Sequence, residues 1–218
     1  MGNVLGMARS GLQVRFRPAA PEDAAVAVPL IYSSGPVAFD YVFTTRDGGD
    51  ARAFLQHCFV DGAGEFGWRN HWVGLVEGKV VTVGAGFGAD AKWPFMLAAA
   101  RQIVRHYGLR RGLGVIARGL RVESVIQPPK GDMHYLAHLA VLPELRGHGI
   151  GRAFIDQLVG MARDAGRSRV VLDVAASNPR AEALYRRAGF KVTGERKSQL
   201  ANERGRVPDH RRMERIVD

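Results

Sequence analysis

The sequence predicts an α/β protein of the α+β kind, with helices beside a sheet that mixes parallel and antiparallel strands. Two observations carry this. Residues 133–141 (MHYLAHLAV) and 169–175 (RVVLDVA) read as strands around a helical pattern at 147–165, and a crossover of that length makes the two strands parallel neighbours. Residues 70–77 and 79–87 flank Glu77-Gly78-Lys79, a hairpin signal that supplies an antiparallel pair.

The remaining elements follow in order. Residues 1–11 read as a tail; Met1-Gly2 invites myristoylation, but Gly6 stands where Ser or Thr is required. Residues 12–18 (LQVRFRP) alternate apolar and polar, as a strand does. Pro21-Glu22-Asp23 opens a helix running to about Ile31, with proline early and acids in the first turn. A second helix is expected over 50–60. Helical patterns at 97–107 and 109–120 end before Pro128-Pro129. In the 147–165 helix, Ile150, Phe154, Leu158, Met161 and Ala165 recur at spacings of three and four, with Gly166 as its cap. Asn178-Pro179 opens another helix, closed by Gly189, and strands follow near 190–199 and 210–217.

The chain has 218 residues, 46% of them hydrophobic and 24% charged, a balance that favours one globular domain over a disordered chain. No apolar run is long enough to span a bilayer, and no signal peptide is evident, so no membrane partner is expected. The single Cys58 excludes an internal disulfide framework, suits a reducing cytoplasm, and reads as a buried apolar residue rather than a nucleophile. Net charge is +10, which favours a polyanionic partner, either a polyphosphate cofactor or nucleic acid. No aromatic-basic motif of a known nucleic-acid fold is present, so nucleic acid is not an expected partner. No Cys/His cluster has metal-ligand spacing, and no metal is expected.

The informative segment is LAVLPELRGHGIGR, residues 139–152. A strand runs into a proline, then Arg146-Gly147-His148-Gly149-Ile150-Gly151-Arg152, then an amphipathic helix. The first turn of a helix leaves backbone N–H groups unpaired and carries partial positive charge. Glycines let that backbone approach an anion closely. Gly151-Arg152-Ala153 lacks the lysine and hydroxyl residue of a nucleotide P-loop, and the glycine spacing does not fit a dinucleotide fingerprint.

R-x-x-G-x-G after a strand ending L-x-V-x-P resembles the acyl-CoA pyrophosphate loop of the GNAT acetyltransferases. The segment LDVAASNPRAEALYRRAGF (172–190) resembles that family's next strand and helix, with Tyr185 seven residues after Asn178. The resemblance covers about 133–190 and implies a GNAT-like domain over 12–218: three layers, with helices flanking a central mixed, mostly antiparallel sheet whose two central parallel strands splay to admit acetyl-CoA. Leu139, Ala140 and Val141 would offer backbone groups to the pantetheine arm. Arg146, Gly147, His148, Gly149, Ile150, Gly151 and Arg152 would wrap the pyrophosphate, and Asn178 would bond the cofactor, cap its helix, or both. Tyr185 matches the family's general acid, which would protonate the leaving thiolate and border the cofactor.

The acceptor implied is a primary amine, which must lose a proton to attack, an alkylammonium having a pKa of about 10.4. Asp173 is the first candidate base: it interrupts an apolar run and falls where some relatives that acetylate protein N-termini carry a glutamate. His138 is the alternative, with His134 beside it, since residues four apart share a strand face. Ordered water could replace either. Trp68, His71 and Trp72 could line the acceptor site or pack in the core.

The chain departs from the family at 89–130, where a short loop is usual. Lys92, Arg101, Arg105, Arg110, Arg111, Arg118, Arg121 and Lys130 stand there against Asp90 and Glu123. This insertion is expected to roof the acceptor pocket or to form a subunit contact, as in a homodimer. A small-molecule amine is preferred over a protein N-terminus or lysine, and a non-catalytic acyl-CoA-binding regulatory module is the reading of another class.

Overall fold

The computed structural model describes residues 4–7, 12–46 and 48–217. In chain order its elements are β1 (Val4–Met7), β2 (Gln13–Pro18), α1 (Ala24–Ser33), α2 (Pro36–Phe43), α3 (Ala51–Asp61), β3 (His71–Val76), β4 (Lys79–Gly88), α4 (Lys92–Val122), β5 (Met133–Val141), α5 (Ile150–Asp164), β6 (Arg169–Ala175), α6 (Pro179–Arg187), β7 (Lys191–Arg196), β8 (Ala201–Asn202), β9 (Gly205–Arg206) and β10 (His210–Ile216). An eight-stranded sheet runs β1-β2-β3-β4-β5-β6-β10-β7, with β8 and β9 as a separate hairpin. Among the described residues only β5 and β6 pair in parallel.

Local chemistry explains most boundaries. Asp50 caps α3 by accepting from the Arg52 N–H at 3.2 Å, and Gly62, at φ 80°, ends it. Asn178 caps α6 by accepting from the Ala181 N–H at 3.1 Å, ahead of Pro179. The α5 stripe of Ile150, Phe154, Ile155, Leu158 and Val159 is buried against one face of the sheet, with Phe16, Leu136 and Leu172. Each such side chain contributes roughly 1.5–3 kcal/mol when fully buried. The opposite face is covered by α1 and α3, whose Ala27, Ile31, Leu55 and Phe59 pack on Val73 and Val83. Beyond it, α2 and α4 close a third cluster around Phe54 and Val115.

The structure corrects the sequence reading in several places. Residues 4–7, read as part of a tail, form an edge strand antiparallel to β2; four residues are too few for a period to show. The rest of that tail lies outside the described residues. Helix α2 was not anticipated, because PVAFDYVF has apolar residues all round rather than on one stripe. It is fixed by tertiary partners, the Tyr32 hydroxyl donating to Asp40 at 2.8 Å and the Tyr107 hydroxyl to the Phe43 carbonyl at 2.6 Å. The helical patterns at 97–107 and 109–120 hold as the two arms of α4, which break at Gly108 with φ 75° and ψ 167°; what differs is the start of the first arm, at Lys92 rather than Leu97. Helix α5 starts at Ile150, not 147, because Gly147 and Gly149 take φ of 88° and 87°.

Candidate active site

Parallel pairing of β5 and β6 spans only Met133↔Arg169, His134↔Val170 and Tyr135↔Val171. Past Tyr135 each strand keeps its outer neighbour, β5 with β4 to Val141 and β6 with β10 to Ala175, so the pair opens as a V. A cavity of about 1890 Å³ runs through this opening, from the Arg146–Arg152 loop at one end to α2 and α4 at the other. Ligand sites for one drug-sized molecule are roughly 300–1,000 Å³, so this space suits a nucleotide-sized ligand together with a second one.

The loop end is built from backbone. The first helical bond of α5 joins the Ala153 N–H to the Gly149 carbonyl, so the preceding N–H groups lack helical acceptors and meet the cavity. Gly149 occupies the N-cap at φ 87°, where a side chain would be strained. A Cβ on Gly147 would meet nothing within 4 Å, which leaves the approach open. A Cβ on Gly151 would lie 3.3 Å from Leu184 Cδ2, so that glycine lets α6 sit close. Arg146 donates from Nε to the Val141 carbonyl at 3.1 Å, and His148 from Nδ1 to the Arg146 carbonyl at 3.2 Å. Arg152 pairs with Asp156 at 2.7 Å and also donates to the Arg187 carbonyl, tying α5 to α6.

Strand direction separates the three β5 residues expected at the pantetheine arm. The Ala140 carbonyl accepts from Thr82 Oγ1 of β4 at 2.7 Å, and the Leu142 N–H bonds Val81 of β4. By alternation, Leu139 and Val141 aim their backbone groups into the gap while Ala140 faces away from it. Asn178 is exposed, lines the cavity and spends its side-chain oxygen on the α6 cap. Tyr185 also lines the cavity; burial pushes its hydroxyl up to about 12, so it is a protonated donor at neutral pH.

The candidate bases fare differently. Asp173, its side chain only 1% exposed, pairs with Arg212 at 2.5 Å and 3.1 Å and accepts from the Tyr135 hydroxyl at 3.1 Å, with Arg196 at 3.7 Å. Both carboxylate oxygens are therefore engaged. His134 and His138 do not share a face. Between Val83↔Ala140 and Ala85↔Ala137, β5 carries one residue more than β4, a bulge at His138-Leu139 opposite Gly84. His138 takes φ 57° there, and a Cβ on Gly84 would lie 2.7 Å from Leu139 Cδ2, so the glycine makes room for the bulge. His134 is turned over Gly86 beside Leu136, outside the cavity lining, and burial followed by the Arg167 charge pushes its ring down to about 4.

His138 instead faces the cavity from the α1–α3 side, its ring 5.1 Å from Phe66 and 6.0 Å from Phe39. Its Nδ1 is 3.1 Å from His71 Nε2, and His71 Nδ1 is 2.9 Å from the Gly67 carbonyl. A carbonyl only accepts, so His71 donates from Nδ1 and accepts at Nε2. His138 must then donate from Nδ1, which leaves the lone pair of its Nε2 facing Glu65 Oε1, 3.6 Å away. Both rings are neutral at pH 7. Burial pushes His71 down to about 4 against the Gly67 hydrogen bond, and holds His138 well below the usual imidazole range with His71 adding to it. Glu65 opens into the cavity with 41% of its side chain, while protein packed around it, then the Glu123 charge, pushes its carboxyl up to about 7.

Glu65 was missed at the level of sequence; an acid inside the glycine-rich apolar run Gly62–Trp68 was the available signal. His71 is fully buried behind His138, and neither Trp68 nor Trp72 borders the cavity; both pack on the core clusters. Cys58 is buried and its thiol is held up by that burial. Among the described residues no group of acids, histidines and cysteines could hold a metal.

Residues 114–190 match the Acetyltransferase (GNAT) family. N-acetyltransferase 8B of Rattus norvegicus is 39% identical over 102 residues, 43% of this chain and 46% of that protein, so the match spans under half of that relative. Thialysine N-epsilon-acetyltransferase of Bos taurus is 32% identical over 130 residues, 54% of this chain and 74% of that one. In structure, the chain is similar to a phosphinothricin acetyltransferase of Sinorhizobium meliloti solved with AcCoA: TM-score 0.54, 19% identity, 94% of this chain and 88% of the other. The splayed strand pair, the glycine loop capping α5 and these likenesses agree: the chain belongs to the GNAT superfamily of acetyltransferases.

Proposed function

We propose that the chain is an N-acetyltransferase that moves the acetyl group of acetyl-CoA to a primary amine by direct attack, with both substrates bound. The observation that carries this is the single cavity joining the α5 N-terminus to the His138–Glu65 pair through the β5–β6 opening. The residues fit the cosubstrate: open backbone at Gly147, uncommitted N–H groups ahead of Ala153, and Leu139 and Val141 turned to the gap. Acetyl-CoA, when bound, supplies a thioester carbonyl open to attack and a thiolate that leaves.

The chain's own groups handle the protons. Glu65, ionised above about pH 7, attracts an ammonium to the roofed end. His138 Nε2, its lone pair aimed at the same spot, takes the proton, the adjacent Glu65 carboxylate offsetting the burial of the imidazolium that forms, and His71 fixes the tautomer that makes this atom the acceptor. The Tyr185 hydroxyl, held protonated, serves as the donor to the departing sulfur. Asp173 anchors Arg212 and Tyr135 and leaves the base role to His138. The α4 roof supports a small-molecule amine over a protein substrate; the cow relative, by its name, acetylates an ε-amine.

Calorimetric titration with acetyl-CoA, followed by mass-spectrometric detection of acetylated products from a panel of primary amines, tests the reading. Saturable binding with turnover is expected. Binding without turnover on any amine, in wild type and Tyr185→Phe alike, would favour the regulatory module instead.

A further inference from the structure

Helix α4 faces inward with Gln102, Ile103, Tyr107, Gly112 and Val115. Its outward face is apolar as well. Among the described residues, ten large hydrophobic side chains are exposed, and seven of them, Trp93, Met96, Leu97, Val104, Leu109, Leu113 and Leu120, lie on this one helix. Trp93, Leu97 and Val104 recur at helical spacing on the arm before the Gly108 break, and Leu109, Leu113 and Leu120 on the arm after it. The arms fold back on each other there, a Cβ on Gly112 lying 3.2 Å from Ile103 Cγ2, so each arm carries its own apolar stripe. Trp93 is 69% exposed and Leu113 61%. The core does not need this stripe, and water does not favour it.

The charge pattern says what covers it. Helix α4 carries Lys92, Arg101, Arg105, Arg110, Arg111, Arg118 and Arg121 and no acid. Arg101 is paired with Asp61 and Arg118 bonds the Val42 carbonyl. Among the described residues no ion pair engages Arg105, Arg110 or Arg121, which flank the stripe on its exposed side. A two-fold pairing of α4 with a second copy of itself would bring Arg105, Arg110 and Arg121 of one copy up to those of the other with no acid on either helix. A nucleic acid would satisfy the arginines and leave the leucines wet.

We infer that the two arms of α4 form an interfacial element that docks this protein on an anionic lipid bilayer, apolar side chains inward and arginines at the headgroups. A tryptophan and leucines between flanking arginines are what such a surface takes up. The absence of a membrane partner expected from the sequence rested on spanning length. Among the described residues no single helix is long and apolar enough to cross a membrane, and an interfacial helix has no such requirement. Met96 and Leu120 belong both to the stripe and to the cavity lining, so docking turns the acceptor end toward the bilayer.

Flotation of the full chain with phosphatidylcholine vesicles, with and without phosphatidylserine, tests this. The protein is expected to float with phosphatidylserine vesicles and to be released by salt. Arg110→Ala should lower partitioning about fivefold, and Trp93→Ser with Leu97→Ser and Leu113→Ser more than roughly tenfold. All three replaced side chains are exposed, so an unchanged thermal melt certifies the fold of each variant. No flotation, or flotation indifferent to the serine variants, overturns the inference. So does a concentration-dependent dimer, formed without vesicles and abolished by the same serines, which would assign the stripe to a second copy. Binding to single-stranded RNA with no affinity for vesicles would overturn it in favour of nucleic acid.

Discussion

The two ends of the cavity are built on different principles. The loop end is made of backbone: N–H groups of one helix start, two glycines at positive φ, and strand edges laid bare by the β5–β6 divergence. The roofed end is made of side chains drawn from distant segments: Glu65 after α3, His71 on β3, His138 on β5 and the roof of α4. A backbone site tolerates side-chain change and fails when its dihedrals fail. A side-chain site fails with its individual atoms.

That contrast can be broken or sharpened by substitution. The largest effect is expected at His138. Asparagine also accepts positive φ, so His138→Asn preserves the bulge and removes the Nε2 lone pair. Its kcat should fall about 10²–10⁴-fold with acetyl-CoA affinity unchanged; stopped-flow turnover beside calorimetry measures both, and an unaltered kcat would remove His138 from the mechanism. Asp173→Asn should act on stability instead. Losing a buried charge partner costs about 3–5 kcal/mol, read by denaturant unfolding, whereas kcat per folded molecule should persist. A kcat collapse in stably folded Asp173→Asn would restore the carboxylate as base.

Gly149→Val targets the loop end alone. Forcing a β-branched residue into the left-handed region costs about 1–2 kcal/mol, so the Kd for acetyl-CoA should rise about five- to thirtyfold while amine affinity holds. The smallest expected effect is in the pH profile. Glu65 ionises near 7, and His71 and His138 stay neutral through that range, with Glu123, Tyr135 and the two histidines as the titratable groups around it. kcat/KM for the amine should therefore rise as pH increases through about 7, since the carboxylate gains its charge there. Glu65→Gln should erase that inflection and raise the amine KM; a profile identical to wild type would remove Glu65 from acceptor binding.

The same division decides how much could be read beforehand. The strand at 133–141, the strand at 169–175 and the Asn178 cap emerged at their predicted positions, because each is specified by neighbours a few residues apart. The glycine loop was legible for the same reason, although its dihedrals shortened α5 by three residues. Helix α2 and strand β1 escaped, since each owes its form to a partner elsewhere: Tyr107 over Phe43, and the open edge of β2. The shared face expected for His134 and His138 failed on one extra residue in β5, which reverses every side chain beyond it.

From the sequence alone came the crossover, the glycine-rich helix start and the Asn178 cap, local patterns in which spacing along the chain is distance in space. The three-layer fold and the choice of Tyr185 came from the resemblance to the GNAT family. Tertiary structure alone decided that Asp173 is held by Arg212 and that His138 meets Glu65 and His71. It also decided that α4 covers the cavity with one face and offers leucines to the surroundings with the other. Hydrogen bonds and burial between segments tens of residues apart leave no period in the chain, so they can be read only once the sheet has brought those segments together.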